Sequence, residues 1–139
     1  MSLSQKLRII PIGLLLLTVP IVSGCRFCSP EQVSLEAVAM SVAIYKHDLA
    51  LKEIMDTDSP QIAEENLATL QENYEEAAMN SVPKCAESTQ SALLQTLELG
   101  IHVAELKIQN ASDAKIQAAL QELEENRELF DTEYYELTN

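Results

Sequence analysis

The chain has 139 residues, with 22 acidic against nine basic side chains and a formal net charge of −13. This length is enough for one domain with a single core. A surface this acidic repels phosphate, which excludes nucleic acid as the expected partner, and it is also repelled by anionic lipid headgroups.

The first 24 residues differ from the rest of the chain. Lys6 and Arg8 precede an apolar run over 9–22, and this segment contains no acid. A positively charged start, a short apolar core and small residues after it are typical of a secretory signal. The run has 14 residues, whereas a spanning helix needs about 20. A cleaved signal peptide over 1–24 is therefore favoured over a permanent transmembrane helix.

The sequence Val22-Ser23-Gly24-Cys25 follows the apolar run. It resembles the lipobox of bacterial lipoproteins, in which an aliphatic residue and two small ones precede a cysteine. The resemblance covers residues 1–25 and implies cleavage before Cys25, a diacylglyceryl group on its sulfur and acylation of the new amino group by a fatty acid such as palmitate. It implies an exported protein held by lipid to a membrane, at the outer cell envelope or on its periplasmic side. The alternative is ordinary signal cleavage that leaves Cys25 unmodified.

The segment after residue 24 has the composition of a helical domain. It has seven basic against 22 acidic residues, a net charge of −15, no tryptophan and Gly100 as its single glycine. Ala, Leu, Glu and Gln, all good helix formers, are abundant. Ser-Pro pairs mark helix starts at Ser29-Pro30 and Ser59-Pro60, Val82-Pro83 opens a third segment, and Ser112-Asp113 can cap a fourth.

These signals predict four helices, over 30–56, 60–80, 84–109 and 113–137. Each segment carries a line of apolar residues three and four apart. Four amphipathic helices with short connections predict an all-α fold, an antiparallel up-down-up-down four-helix bundle over 30–139. A lipidated N-terminal segment over 25–29 would join it to the membrane.

Two cysteines, Cys28 and Cys85, remain if Cys25 carries lipid. An even number of thiols in an oxidising compartment predicts a disulfide between them. Helices 1 and 3 of the predicted bundle start at the same end, which brings both sulfurs to one cap, although across its diagonal. Read without lipid, residues 25–28 form a C-x-x-C, but no strand precedes it as in thioredoxin-like redox units.

The first helical segment carries a second apolar line besides its core line. Its members are Leu35, Val38, Val42, Tyr45 and Leu49. We interpret helix 1 as the most buried of the four, with both lines in the core. The alternative is that the second line is a surface for a partner protein.

The side chains that could carry chemistry are few. His47 lies on the core line of helix 1 and His102 projects away from the core of helix 3, so a shared haem or metal site is not expected. Glu98, His102 and Glu105 share one helix face and could hold zinc weakly, but a solvated face is the favoured interpretation. Arg127 falls on the core line of helix 4 and is expected to extend outward and pair with its acidic neighbours.

No Gly-rich phosphate loop and no nucleophile with a base at a readable spacing occur in the sequence. We therefore predict a non-enzymatic protein without a cofactor or metal. The predicted function is that of a lipid-anchored accessory, scaffold or adaptor protein of the cell envelope, acting through contacts with a protein partner. The alternative is a bundle that binds a metal, haem or an apolar molecule in its core.

Overall fold

The computed structural model describes residues 28–139, so the predicted signal peptide and Cys25 lie outside the described residues. Four α-helices follow one another: α1 (Pro30–Asp56), α2 (Pro60–Met79), α3 (Glu87–Ile108) and α4 (Asp113–Thr138). A short 3-10 turn, Lys84–Ala86, leads into α3. No strand occurs between residues 28 and 139, and the predicted all-α helical bundle is confirmed.

The first two helices begin where the Ser-Pro pairs predicted. Ser29 and Gln32 form a capping box: the Ser29 hydroxyl accepts from the Gln32 backbone N–H at 3.3 Å, and the Gln32 side chain accepts from the Ser29 N–H at 3.1 Å. Ser59 accepts from the backbone N–H of Ile62 at 3.5 Å. These bonds satisfy N–H groups that the first turn of a helix leaves without partners. Ser112 stands at the N-cap of α4 but its side chain makes no capping bond, so that part of the prediction is wrong.

The end of α3 is fixed by backbone geometry. Asn110 has a φ of 53°, in the left-handed region that asparagine tolerates better than most residues. The N–H of Asn110 donates to the carbonyl of Lys107 at 3.1 Å, and the N–H of Ala111 donates to the carbonyl of Leu106 at 2.9 Å. This pair of bonds is a Schellman motif, which ends the helix and satisfies its last carbonyls.

The core consists of two apolar clusters, one toward each end of the bundle. One cluster joins the N-terminal half of α1 and the N-terminal half of α3 to the C-terminal halves of α2 and α4; its larger members include Met40, Ile44, Leu93, Leu97 and Phe130. The other joins the opposite halves, with Leu51, Ile54, Leu70, Val103 and Ala119 among its members. Consecutive helices therefore run in opposite directions.

The helix at the centre of the bundle is α3, which packs against each of the other three. Nine of its 22 residues are buried, against seven of the 27 in α1. The interpretation of helix 1 as the most buried helix is therefore wrong. The physical reason is that α1 packs on α2 and α3 but contacts α4 only slightly.

Buried polar residues of α3 escaped the sequence pattern because they are not apolar. Thr96 is fully buried and donates its hydroxyl to the carbonyl of Ala92 at 2.9 Å. The side-chain amide of Gln90 donates to the carbonyl of Ala77 on α2. A buried polar group that donates to a backbone acceptor avoids most of the penalty of leaving water. Thr96 and Gln90 can therefore belong to the buried face of α3, although an apolar sequence pattern does not include them.

Cys28 and Cys85 lie within disulfide-bonding distance, with their Cα atoms 5.9 Å apart. A disulfide requires a separation below about 7 Å. The close packing of α1 on α3 allows the two cysteines to meet across the bundle diagonal. None of the helices between residues 28 and 139 is both long and apolar enough to cross a membrane.

Candidate functional site on helix α1

The outer face of α1 exposes five large apolar side chains, which we call the α1 stripe. Their exposed fractions are 72% for Leu35, 61% for Val38, 47% for Val42, 65% for Tyr45 and 48% for Leu49. These are the members of the second apolar line, so the prediction that this line is buried is wrong. The stripe lies on the side of α1 opposite the buried Met40, Ile44 and Ile54, and no other part of the described chain covers this face.

The α1 stripe is straight and evenly spaced. Its members are separated by three, four, three and four residues, which is the spacing of the a and d positions of a coiled-coil heptad. From Leu35 to Leu49 the stripe extends about 21 Å along the helix axis, at about 1.5 Å per residue. This pattern is the one that a helix uses to pack against a second helix along its length.

The two lysines beside the α1 stripe, Lys46 and Lys52, and also Asp48, are already paired within the protein. The ammonium of Lys46 lies 3.2 Å from a carboxylate oxygen of Glu76 on α2. Asp48 accepts two hydrogen bonds from one guanidinium nitrogen of Arg127 on α4, at 2.9 and 3.0 Å. The nearer flanking residues are small: Ser34, Ala39 and Ser41. The stripe is therefore an apolar surface with little unpaired charge, on a chain that is otherwise strongly acidic.

A shallow groove lies on each side of the stripe. One, of about 480 Å³, runs between α1 and α2 and is lined in part by Ala39, Val42 and the exposed Met79. The other, of about 630 Å³, lies between the start of α1 and the end of α4, beside Val38 and Tyr134. The stripe thus forms a ridge between two open grooves, which is a shape that side chains of a partner can interlock with.

The inner face of α1 holds His47, which is 2% exposed. Its Nδ1 lies 3.2 Å from a carboxylate oxygen of Asp48. Because an ionised carboxylate can only accept, Nδ1 donates this bond. Nε2 has no hydrogen-bond partner among residues 28–139. The predicted inward orientation of His47 is confirmed.

Gly100 on α3 provides the space for the imidazole of His47. A Cβ added at Gly100 would lie 1.7 Å from Nε2 and 2.6 Å from the adjacent ring carbon Cε1, far inside van der Waals contact. Every other residue type would therefore displace the ring. This contact explains why the single glycine after residue 24 stands in the middle of a helix, where glycine is unfavourable by about 1 kcal/mol.

Asp48 and Arg127 link α1 to α4. Burial raises the pKa of the Asp48 carboxyl. Hydrogen bonds from His47 and Arg127 and the positive charge of Arg127 lower the pKa by a larger total amount, so that it lies below its ordinary value. Arg127 also contacts Asp131 at 3.4 Å, which confirms that it extends outward to an acidic neighbour. Its bond to Asp48 joins residues 79 apart in the sequence, and no local spacing pattern could have revealed it.

The other candidate ligand set lies away from the α1 stripe. His102 is exposed, as predicted, and lines a groove with Glu98, Glu105 and Glu122 on the α3–α4 side. Within residues 28–139, no three His, Cys, Asp or Glu side chains lie close enough together to hold a metal ion. The structure does not bring His47 and His102 to a common site, because one is buried and the other is exposed.

These features define a class of protein: an acidic helical bundle with one unpartnered apolar helix face. The chain matches no protein-family model, and no curated protein or solved structure is significantly similar to it. Its function is therefore inferred from its own residues.

Proposed function

We propose that this protein is a lipid-anchored, non-enzymatic adaptor or scaffold of the cell envelope that binds protein through the α1 stripe. The observation that carries the proposal is the alignment of five large, exposed apolar side chains on one helix face. Full burial of such a side chain is worth about 1.5–3 kcal/mol relative to full exposure. Covering the half-exposed stripe would therefore contribute several kcal/mol to an association.

The position of the cysteines supports the anchored state. Cys25 precedes Cys28 by three residues, and Cys28 pairs with Cys85 where α1 and α3 begin. A lipid at Cys25 would hold this end of the bundle close to the membrane. The net charge of −15 over residues 25–139 would keep the rest of the surface away from anionic headgroups, so that the α1 stripe stays available to another protein.

Lipidation is tested by the variant Cys25→Ser. We expect it to lose labelling by a palmitate analogue and to release the protein from membranes, because no other feature of the chain predicts a stable anchor. Cys28→Ser is the matched control and should retain both labelling and membrane association. Wild-type protein that takes up no label, or unlabelled Cys25→Ser protein that stays on membranes, would contradict the proposal.

Contact through the α1 stripe is tested by chemical cross-linking in intact membranes. We expect wild-type protein to be trapped in a larger species of defined size and the Tyr45→Lys variant to be lost from it. Leu129→Lys is the control, because Leu129 is an exposed apolar residue of α4 that lies outside the stripe. The proposal fails if the two variants behave alike, since the stripe would then carry no specific contact.

The competing function, a bundle that binds a ligand in its core, has one feature in its favour. A cavity of about 330 Å³ lies beside His47 and is bounded by Leu120, Leu123 and Arg127. This volume is at the lower limit of small-molecule pockets, about 300–1,000 Å³. However, Nε2 of His47 lies against Gly100 of α3, which hinders its use as a ligand. A Soret band or stoichiometric metal that is lost in His47→Ala would favour this function over the adaptor.

A further inference from the structure

We propose that the partner bound by the α1 stripe is a second copy of this chain, with the two α1 helices paired antiparallel. The inference rests on the proposed function, because it names the occupant of the same surface. The exposed faces of the two α1 helices would meet along their length, and each protomer would present the same residues to the other, as in a twofold-symmetric dimer. With the twofold axis normal to the membrane, the pair lies along the surface and both Cys25 anchors reach the same bilayer.

The spacing of the stripe favours a helix as the structure that binds to it. Spacings of three and four residues, repeated along about 21 Å, match the repeat of a facing helix. A groove for an extended peptide would instead need a free strand edge or alternating pockets. The chain itself carries a helix face with the required pattern, and this face is otherwise uncovered within residues 28–139.

The side chains of the stripe complement one another when the helices run in opposite directions. With the twofold axis between Ala43 and Ile44, Val42 lies opposite Tyr45 of the second copy, and Val38 lies opposite Leu49. These two layers each set a smaller β-branched side chain against a larger one, and each occurs twice by symmetry. Leu35 lies opposite Lys52 of the second copy, whose aliphatic stem can cover it while its ammonium stays in water. The groove of about 480 Å³ beside Val42 offers room for the ring of Tyr45 from the second copy.

The flanking charges favour the antiparallel orientation. In this register Lys46 lies opposite Ala39 of the second copy, and Asp48 lies opposite Ser41, so no like charges meet. In a parallel pair, the g position of one helix faces the e position of the other. With Leu49 at an a position, Asp48 is at g and Glu53 is at e. These two carboxylates would therefore face each other, and by symmetry the repulsion would occur twice.

Charge also favours a second copy over a lipid surface. Helices that lie on membranes combine an apolar face with many Lys or Arg side chains. Beside the α1 stripe there are two lysines, Lys46 and Lys52, and they are already paired with Glu76 and Asp56. Two chains with a net charge of −15 each can approach closely only through a face of low charge, and the stripe is such a face.

The predicted dimer is small and dissociable. Five apolar side chains from each protomer make a smaller contact than the roughly 20–30 residues a side of a standard stable interface. We therefore expect a reversible equilibrium between monomer and dimer rather than a permanent dimer.

The equilibrium is tested by sedimentation velocity on the processed protein in density-matched detergent, over a concentration series. The expected result is a reversible monomer–dimer equilibrium for wild type. Val42→Lys and Tyr45→Lys should each raise the dissociation constant at least tenfold, because each places two charges in the apolar contact. Leu129→Lys should leave it unchanged, and helical circular dichroism checks that each variant is folded. Wild-type protein that is monomeric throughout overturns the second copy as the partner.

The orientation is tested by oxidative cross-linking of single-cysteine variants. Val42→Cys protein mixed with Tyr45→Cys protein should give a mixed dimer, because these positions face each other in the antiparallel pair. A parallel pair would instead cross-link each variant mainly to itself, which would overturn the antiparallel arrangement.

The failures of the two proposals are distinguishable. If wild type is monomeric but Tyr45→Lys still loses the larger species in membranes, the second copy is wrong and a different protein occupies the stripe. If the stripe variants lose binding to protein-free vesicles of neutral lipid while wild type and Leu129→Lys bind them, the occupant is a lipid surface and the second copy is wrong. If the stripe variants change none of these measurements, the proposed function fails as well.

Discussion

The contact between His47 and Gly100 makes the substitution Gly100→Ala a sharp test of the core. On an ordinary helix surface this change is stabilising by about 1 kcal/mol, because alanine is the better helix former. Here the added Cβ would lie 1.7 Å from Nε2 of a histidine that is 2% exposed. The ring must move by about 2 Å to restore normal contact distances, and its hydrogen bond to Asp48 would be strained or lost.

The expected loss of stability follows from these opposing effects. Overpacking a well-packed core costs about 1–3 kcal/mol, and weakening a hydrogen bond to a charged group adds about 1 kcal/mol. Subtracting the helix-propensity gain of about 1 kcal/mol leaves a destabilisation of about 1–3 kcal/mol. The measurement is denaturant unfolding followed by circular dichroism, with an unchanged m-value as evidence that the unfolding transition is comparable.

The matched control is the same substitution in a His47→Ala background. With the imidazole removed, the new methyl group enters free space, and Gly100→Ala should become stabilising by up to about 1 kcal/mol. The change of sign between the two backgrounds is a coupling energy that helix propensity alone cannot produce. If Gly100→Ala stabilises the wild-type protein, or has the same effect in both backgrounds, then His47 does not pack on Gly100.

Three further outcomes are expected. Removing the Cys28–Cys85 bond by Cys28→Ser should lower the unfolding free energy by about 4 kcal/mol for a loop of this length. Cys85→Ser should cause the same loss, and the double variant should lose no more than either single variant. Two free thiols in the native wild-type protein would contradict the bond. Since the pKa of Asp48 is lowered from its ordinary value of 3.8 in the folded state, its stabilisation should be present above that value and lost as the pH falls below it through the lower folded pKa. The stability deficit of Asp48→Asn, at most about 1 kcal/mol for a half-exposed carboxylate, should therefore shrink in acid, and a deficit that is constant between pH 7 and 3 would refute this. Thr96→Val should cost about 1 kcal/mol in urea unfolding, because it leaves the volume nearly unchanged but removes the hydroxyl that donates to Ala92; a neutral result would show that this bond adds no net stability.

The helices could be predicted from the sequence because their signals are local. A serine followed by proline fixes the start of α1 and α2 within a few residues of the chain, and the bonds of Ser29 and Ser59 show the mechanism. The start of α3 was less accurate, since Val82-Pro83 has no capping serine and a 3-10 turn, Lys84–Ala86, precedes the helix.

The residues of the candidate contact surface could be identified from the sequence, but whether they are buried or exposed could not. Both apolar lines of α1 have helical spacing, and nothing within α1 states which neighbours will cover them. That choice depends on how α1 sits relative to α3 and α4, which is a property of the whole bundle. Gly100 was visible as an isolated glycine, but its role appears only once His47 is seen against it.

The packing of α1 on α3 accounts for two features of the bundle. It brings Cys28 to Cys85 across the diagonal, with Cα atoms 5.9 Å apart. It presses His47 onto α3 at a position where only glycine fits. Contacts between α1 and α4 are fewer and include the ion pair of Asp48 with Arg127 and hydrogen bonds of the Tyr134 hydroxyl to Ser41 and to the carbonyl of Ala37. The α1 stripe lies on the side of the helix opposite the buried Met40, Ile44 and Ile54, at 100° per residue, which is why it is exposed although its sequence looks like that of a buried helix.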